Sequence, residues 1–156
     1  MSTGTEKLSR YLLPYSFRLT GFFLFIAGVV FSVMRFMLGI KPGFLDVKVF
    51  AIYCRYFDTK YFSVIGNNIS EEICGILLLA GLFFITFARE KKENDGIMHI
   101  RLRSLFLAIY ANSILLLLSF FFVYGFGFLA IMVINLFSMF ILFNLIYYWL
   151  KFRMIR

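Results

Sequence analysis

Four long apolar stretches govern what this chain can fold into: 17–38 (FRLTGFFLFIAGVVFSVMRFML), 72–88 (EICGILLLAGLFFITFA), 104–124 (SLFLAIYANSILLLLSFFFVY) and 126–150 (FGFLAIMVINLFSMFILFNLIYYWL). A helix needs about 20 predominantly apolar residues to cross the roughly 30 Å hydrocarbon layer. With 62% hydrophobic and 21% aromatic residues in 156 positions, a water-soluble domain of this size has too much surface for its volume to hide its apolar area. The sequence therefore predicts an all-α membrane protein, a single integral domain over residues 1–156 built as a four-transmembrane-helix bundle. Lys7, Arg10 and Arg18 precede the first stretch as they would in a secretory signal. That run is longer than the usual h-region of about 7–15 residues, and no A-x-A-like site precedes Lys41-Pro42-Gly43, so it is read as a retained span.

Four crossings put the amino end, the middle loop and the carboxyl end on one side. Lys7, Arg10, Arg18, Arg89, Lys91, Lys92, Arg101, Arg103, Lys151, Arg153 and Arg156 fall there, against Arg35, Lys41, Lys48, Arg55 and Lys60 on the other. The positive-inside rule then predicts cytoplasmic termini, and Tyr147, Tyr148 and Trp149 before Lys151 supply the aromatic belt expected at an interface. The predicted location is the bacterial inner membrane, multi-pass. Orientation alone accounts for a cationic rim. The same rim also attracts anionic lipid or an acidic ligand.

Between the first two spans lie about thirty residues, too many for a turn. Leu45, Val47 and Val49 alternate with Asp46 and Lys48 as in a strand, whereas Tyr53, Cys54, Phe57 and Tyr61 recur at helical spacing, and the two alternatives stay open. The aromatic content (Phe44, Phe50, Tyr53, Tyr56, Phe57, Tyr61, Phe62) predicts an outer loop that lies on the membrane surface or caps the bundle, with a receptor surface as the sharper alternative. Cys54 and Cys74 would face the same outer compartment, either paired or as free thiols.

Polar residues inside the spans form the second pattern. The YGFG turn at 124–127 makes the last two helices antiparallel neighbours, which brings Asn112 near Ser138 and Asn135 near Leu116, with Ser119 on the face of Asn112. Asn112, Ser119, Asn135, Ser138 and Asn144 read as glue between helices. Alternatively they line a pore in a homo-oligomer, with Asn144 reaching a neighbouring subunit. Gly21, Ala27 and Gly28 on the first span, and Gly75, Ala80 and Gly81 on the second, permit close helix contacts.

Chemistry is sparse. His99 stands alone, Glu71 and Glu72 are adjacent and so point about 100° apart on a helix, and no metal-ligand spacing, phosphate-binding loop or catalytic set occurs. Neither an enzymatic activity nor a cofactor nor a metal is expected. The candidate site is instead a cytoplasmic anion-binding surface made by Arg89, Lys91, Lys92, Arg101, Arg103, Lys151 and Arg153, whose cations would make charge-assisted bonds to phosphate-rich ligands. Ile97, Ile100, Arg101, Ser104 and Leu105 recur at helical spacing, so the third helix is expected to begin before the bilayer.

The pattern Glu90-Lys91, Glu93, Ile97, Arg101-Leu102, Ser104-Leu105, with LDVKVFAIY and TKYF in the outer loop and NNISEEI before the second span, resembles a family of small four-span bacterial inner-membrane proteins without an assigned activity. The resemblance covers roughly residues 40 to 140 and implies location only. Where that family carries an acidic pair after Glu93, this chain has Asn94-Asp95, so no role carries over for the pair.

Two functions fit. One is an oligomeric ion channel or membrane-perturbing effector gated by an acidic nucleotide or oligonucleotide, by analogy with bacterial antiviral defence effectors. The other is a non-conducting membrane adaptor or sensor that docks a cytoplasmic signalling partner. Membrane lipids and further copies of the chain are expected partners in both.

Overall fold

The structure, a computed structural model, describes residues 11–55, 59–91 and 94–155, without the side chains of Cys54, Arg55, Lys60 and Ile155. Helix α1 spans Ser16–Ser32 and continues as a π-helical turn over Val33–Met37. Strands β1 (Asp46–Arg55) and β2 (Thr59–Asn68) follow, then helices α2 (Ser70–Phe87), α3 (Asp95–Phe122) and α4 (Phe126–Ile155). All four helices are long and apolar enough to cross a membrane, which makes this a helical, multi-pass membrane protein.

Most of the apolar surface faces outward from the chain rather than into a protein core. In the most apolar window of α4 only 6% of the residues are buried within the chain. The buried hydrophobic cluster is small, Ile100, Ala108, Phe143 and Tyr147, and sits where α3 and α4 meet near one end of the bundle. In water such an arrangement would expose a ring of phenylalanine and leucine; in hydrocarbon those side chains are already in a good solvent.

Helices α3 and α4 are longer than the slab requires. At about 1.5 Å per residue they measure roughly 42 and 45 Å, so each projects beyond the apolar layer. Asn94 starts α3 by accepting a hydrogen bond from the Ile97 N–H at 2.8 Å, and Asp95 in the first turn favours the positive end of the helix dipole. The helix thus begins nine residues before the apolar run at Ser104, as its spacing predicted. Gly125, at φ +66°, supplies the left-handed residue that turns the chain into α4.

The helices pack in the order α1, α2, α4, α3. Glycine sets the closeness of the first pair. A Cβ on Gly81 would stand 2.6 Å from the Phe25 nitrogen, one on Gly21 would stand 2.9 Å from the Gly81 oxygen, and one on Gly28 would stand 2.9 Å from the Leu78 nitrogen. Phe17 and Phe84 close the same seam edge to face at 5.2 Å. Gly75 takes no part, since nothing lies within 4 Å of the Cβ position.

The segment between the first two helices corrects the all-α expectation: it is a two-stranded antiparallel hairpin, paired from Asp46↔Asn68 to Arg55↔Thr59. The strand alternation seen at 45–49 extends through Arg55 because β2 supplies ten residues of matching ladder. The helical spacing of Tyr53 and Tyr61 has a different origin, since the two residues face each other across the ladder with ring centroids 5.5 Å apart. Tyr56, Phe57 and Asp58 lie outside the described residues. The hairpin does not bury its aromatic residues as a cap on the bundle would; Phe44, Phe50 and Phe62 are exposed. Cys74 is a buried free thiol on α2.

The hairpin base is clamped to the helices. Arg35 pairs with Glu71 at 2.5 Å and its Nε donates to Ser70 Oγ at 3.0 Å. Asn68 donates to Asp46 at 2.7 Å and to the Pro42 carbonyl at 3.2 Å, and Asn67 donates to Glu72 at 3.0 Å. The arginine at the end of the first span is thus engaged by the start of the second.

Gly81→Val is predicted to lower stability by about 2–3 kcal/mol, because the new atoms meet backbone that cannot yield. Gly75→Ala is expected to be neutral or stabilising by up to about 1 kcal/mol. Thermal melts of the two variants in detergent, followed by circular dichroism, check the contrast.

Candidate functional site

The charged end is organised by one carboxylate. Helix α2 stops at Phe87, Ala88 is extended, and the chain runs beside the segment that leads into α1. Leu13 N–H donates to the Phe87 carbonyl and Arg89 N–H to the Leu13 carbonyl, each at 2.9 Å. This short parallel contact sends the Glu90 side chain inward, where it is only 11% exposed.

Two helices, α1 and α4, converge on it. Glu90 Oε2 pairs with Arg18 of α1 at 2.6 Å, while Oε1 accepts from the Tyr147 hydroxyl and from Lys151 Nζ of α4, both at 2.9 Å. Tyr147 and Lys151 are four residues apart and so share a helix face. The Arg18 guanidinium also donates to the Tyr148 hydroxyl. Beside this group, buried Arg101 of α3 donates to the Thr86 carbonyl at 2.8 Å and the Ala88 carbonyl at 3.2 Å. Those carbonyls end α2, where a cation is favoured by both hydrogen bonding and the helix dipole. The Arg101 guanidinium lies 5.3 Å from the centroid of the Tyr147 ring, which itself stacks on Phe143 at 5.9 Å.

Burial works against a charged Glu90. The hydrogen bonds from Arg18, Lys151 and Tyr147, together with the Arg18 charge, outweigh that cost and hold its carboxyl down at about 2. A carboxylate so acidic is a structural anion and a poor proton acceptor at neutral pH.

The seven candidate anion-binding residues are divided by the structure. Arg101 and Lys151 turn inward to the Glu90 group. Arg89 is half-buried and its backbone is tied to Leu13. Lys91 is exposed, with its ammonium 5.3 Å from the Tyr15 ring centroid. Arg103 and Arg153 are exposed and line a separate groove between α3 and α4, where Arg153 sits 5.0 Å from the Trp149 ring. Lys92 lies outside the described residues.

The five candidate pore or interface residues of the last two helices, Asn112, Ser119, Asn135, Ser138 and Asn144, all find partners within the chain. Asn112 and Asn135 exchange amide hydrogen bonds at 3.4 and 3.3 Å, and the Ser138 hydroxyl, with its single proton, donates to the Asn112 side chain, with the Asn135 carbonyl as the alternative acceptor 3.1 Å away. Ser119 is buried and bonds its own helix at the Leu116 carbonyl. Asn144 donates to Thr86 Oγ1 at 2.8 Å and to the Phe140 carbonyl at 2.9 Å, and so ties α4 to α2.

Reading by type and spacing alone overlooks the centre of this site. Arg18 reads as an orientation signal, Glu90 only as one position of a family pattern, and Tyr147 and Tyr148 as a membrane belt. A usable signal did exist: an even number of crossings returns residues 18, 90 and 147–151 to the same end of the bundle.

Glu90→Gln is predicted to destabilise the protein by on the order of 3 kcal/mol at neutral pH. The folded carboxyl sits near 2 against an ordinary 4.5, so its contribution is fully present above about 4.5 and disappears as pH falls toward 2. Melts between pH 2 and 7 should show an acid limb in the wild type that is flattened in the variant.

Comparison with protein-family models, with curated proteins and with solved structures finds no match to this chain.

Proposed function

We propose that this protein is a non-conducting adaptor or sensor of the bacterial inner membrane, with both ends cytoplasmic, that docks a partner protein bearing an acidic surface. The observation that carries this reading is that the polar side chains that could line a pore have partners within the chain. Asn112, Asn135, Ser138 and Asn144 find their partners inside one chain. A channel needs polar groups turned toward a lumen, and the stripe that prompted the channel reading is spent on joining helices.

The connection between the two ends supports a sensing role. Helices α1 and α2 are held as a close pair by Gly21, Gly28 and Gly81. At one end that pair carries the hairpin through the Arg35–Glu71 clamp, and at the other it meets α4 through Glu90. A load on the exposed aromatic hairpin would thus reach the cationic end through two helices moving together. Lys91, Arg103 and Arg153 remain exposed there for an acidic partner, which they would attract over a Debye length of about 8–10 Å.

Proteoliposomes of the purified chain are expected to hold an ion gradient with or without added nucleotides and oligonucleotides; nucleotide-dependent leakage would overturn the proposal. In native membranes, a photo-crosslinker attached at Lys91→Cys should give a discrete adduct that weakens with salt. Adducts at multiples of the chain's own mass alone would replace the adaptor with a self-assembled oligomer.

A further inference from the structure

We propose that the groove between α3 and α4 on the face bearing Arg103 and Arg153 is a binding site for an anionic phospholipid. The groove has a volume of about 350 Å³, and Leu107, Leu150 and Ile100 line it beside the two arginines and Trp149. This inference shares Arg103 and Arg153 with the docking reading, and a lipid seated in the groove leaves Lys91 as the exposed cation that faces a partner.

The two helices grade the groove in the same sense. On α3, Leu107 follows Arg103 by four residues, and on α4, Trp149 precedes Arg153 by four. The helices are antiparallel, so in each case the apolar residue lies one turn, about 6 Å, deeper toward the apolar layer than the arginine. The apolar run of α3 begins after Arg103 and that of α4 ends before Lys151, which sets the arginines at the depth of phosphate groups and Trp149 at the boundary tryptophan prefers. Rim and wall together match an amphiphile.

The chemistry of the rim selects the sign. Guanidinium groups present forked donors that suit phosphate oxygens, and among the described residues no carboxylate lines the groove to compete. The Arg153 guanidinium is already set against the Trp149 ring at 5.0 Å, which limits the freedom it would lose on binding. Both arginines are exposed, in contrast to Arg101 and Arg18, whose donors are engaged by Glu90, Tyr148 and the α2 carbonyls. A water-soluble phosphate would use only the rim. A phospholipid also covers Leu107 and Trp149.

Trp149 is the single tryptophan of the chain and reports on the site directly. The full-length protein is reconstituted in vesicles containing acyl-brominated phosphatidylglycerol or acyl-brominated phosphatidylcholine, and quenching of Trp149 is measured. The anionic lipid should compete for the quenching position on the order of tenfold better, the effect of one to two basic groups at an anionic surface. Arg103→Ala with Arg153→Ala should bring the ratio close to one. Should that pair fail to fold, Arg103→Gln alone, which leaves the Arg153–Trp149 contact in place, should lower the ratio several-fold. Equal quenching by the two lipids in the wild type overturns the proposal, as does a preference that survives these substitutions, which would reflect general surface charge. Inorganic phosphate at constant ionic strength should leave quenching unchanged. Displacement of the lipid by millimolar phosphate would reassign the groove to a soluble anion.

Discussion

A buried carboxylate cannot be left alone. Removing Glu90 from water costs several kcal/mol unless its charge and lone pairs are met, and that demand determines how the charged end is built. Arg18, Tyr147 and Lys151 each satisfy part of it, and each belongs to a helix whose end must then lie within hydrogen-bonding reach of the segment after α2. Arg101 adds the α3 connection by closing the carbonyl end of α2. Four helices with few apolar contacts among themselves are tied together at one end by charge.

The need for such ties follows from the solvent. In hydrocarbon the hydrophobic effect gives helices no reason to associate, so association rests on close backbone approach and on polar pairs. Both devices occur here, in different places. Glycine brings α1 onto α2, where Gly81 faces the Phe25 backbone, and amides join α3 to α4, where Asn112 and Asn135 exchange hydrogen bonds. Asn144 and the Glu90 group then connect one pair to the other. The hairpin belongs to the α1–α2 pair through the Arg35–Glu71 clamp, which leaves the molecule as two helix pairs joined through α2 and α4.

Within this arrangement the cations serve unequal purposes. Arg18, Arg101 and Lys151 are structural, held by partners inside the chain. Lys91, Arg103 and Arg153 project from the surface, Lys91 beside the Tyr15 ring and Arg153 beside Trp149. A net charge read from composition counts them alike, although only the exposed set is available to a ligand, a lipid or a partner.

The four apolar helices, the early start of α3, the antiparallel α3–α4 pair and the glycine contact of α1 with α2 were all legible in the amino-acid order, because hydropathy, helical spacing, turn length and small-residue placement act over neighbouring residues. The hairpin was half legible: alternation marked its first strand, but the aromatic spacing beyond it imitated a helix until β2 was seen to face it. What tertiary structure alone decided is which charges are spent. The bond from Arg18 to Tyr148 joins positions 130 apart and that from Lys151 to Glu90 positions 61 apart, and no local pattern encodes which of several basic residues at the same end will reach a given carboxylate. Sequence gathers the cations at one end of the bundle through the even number of crossings. Packing then chooses among them, because only side chains brought to the same point by different helices can neutralise a charge that has left water.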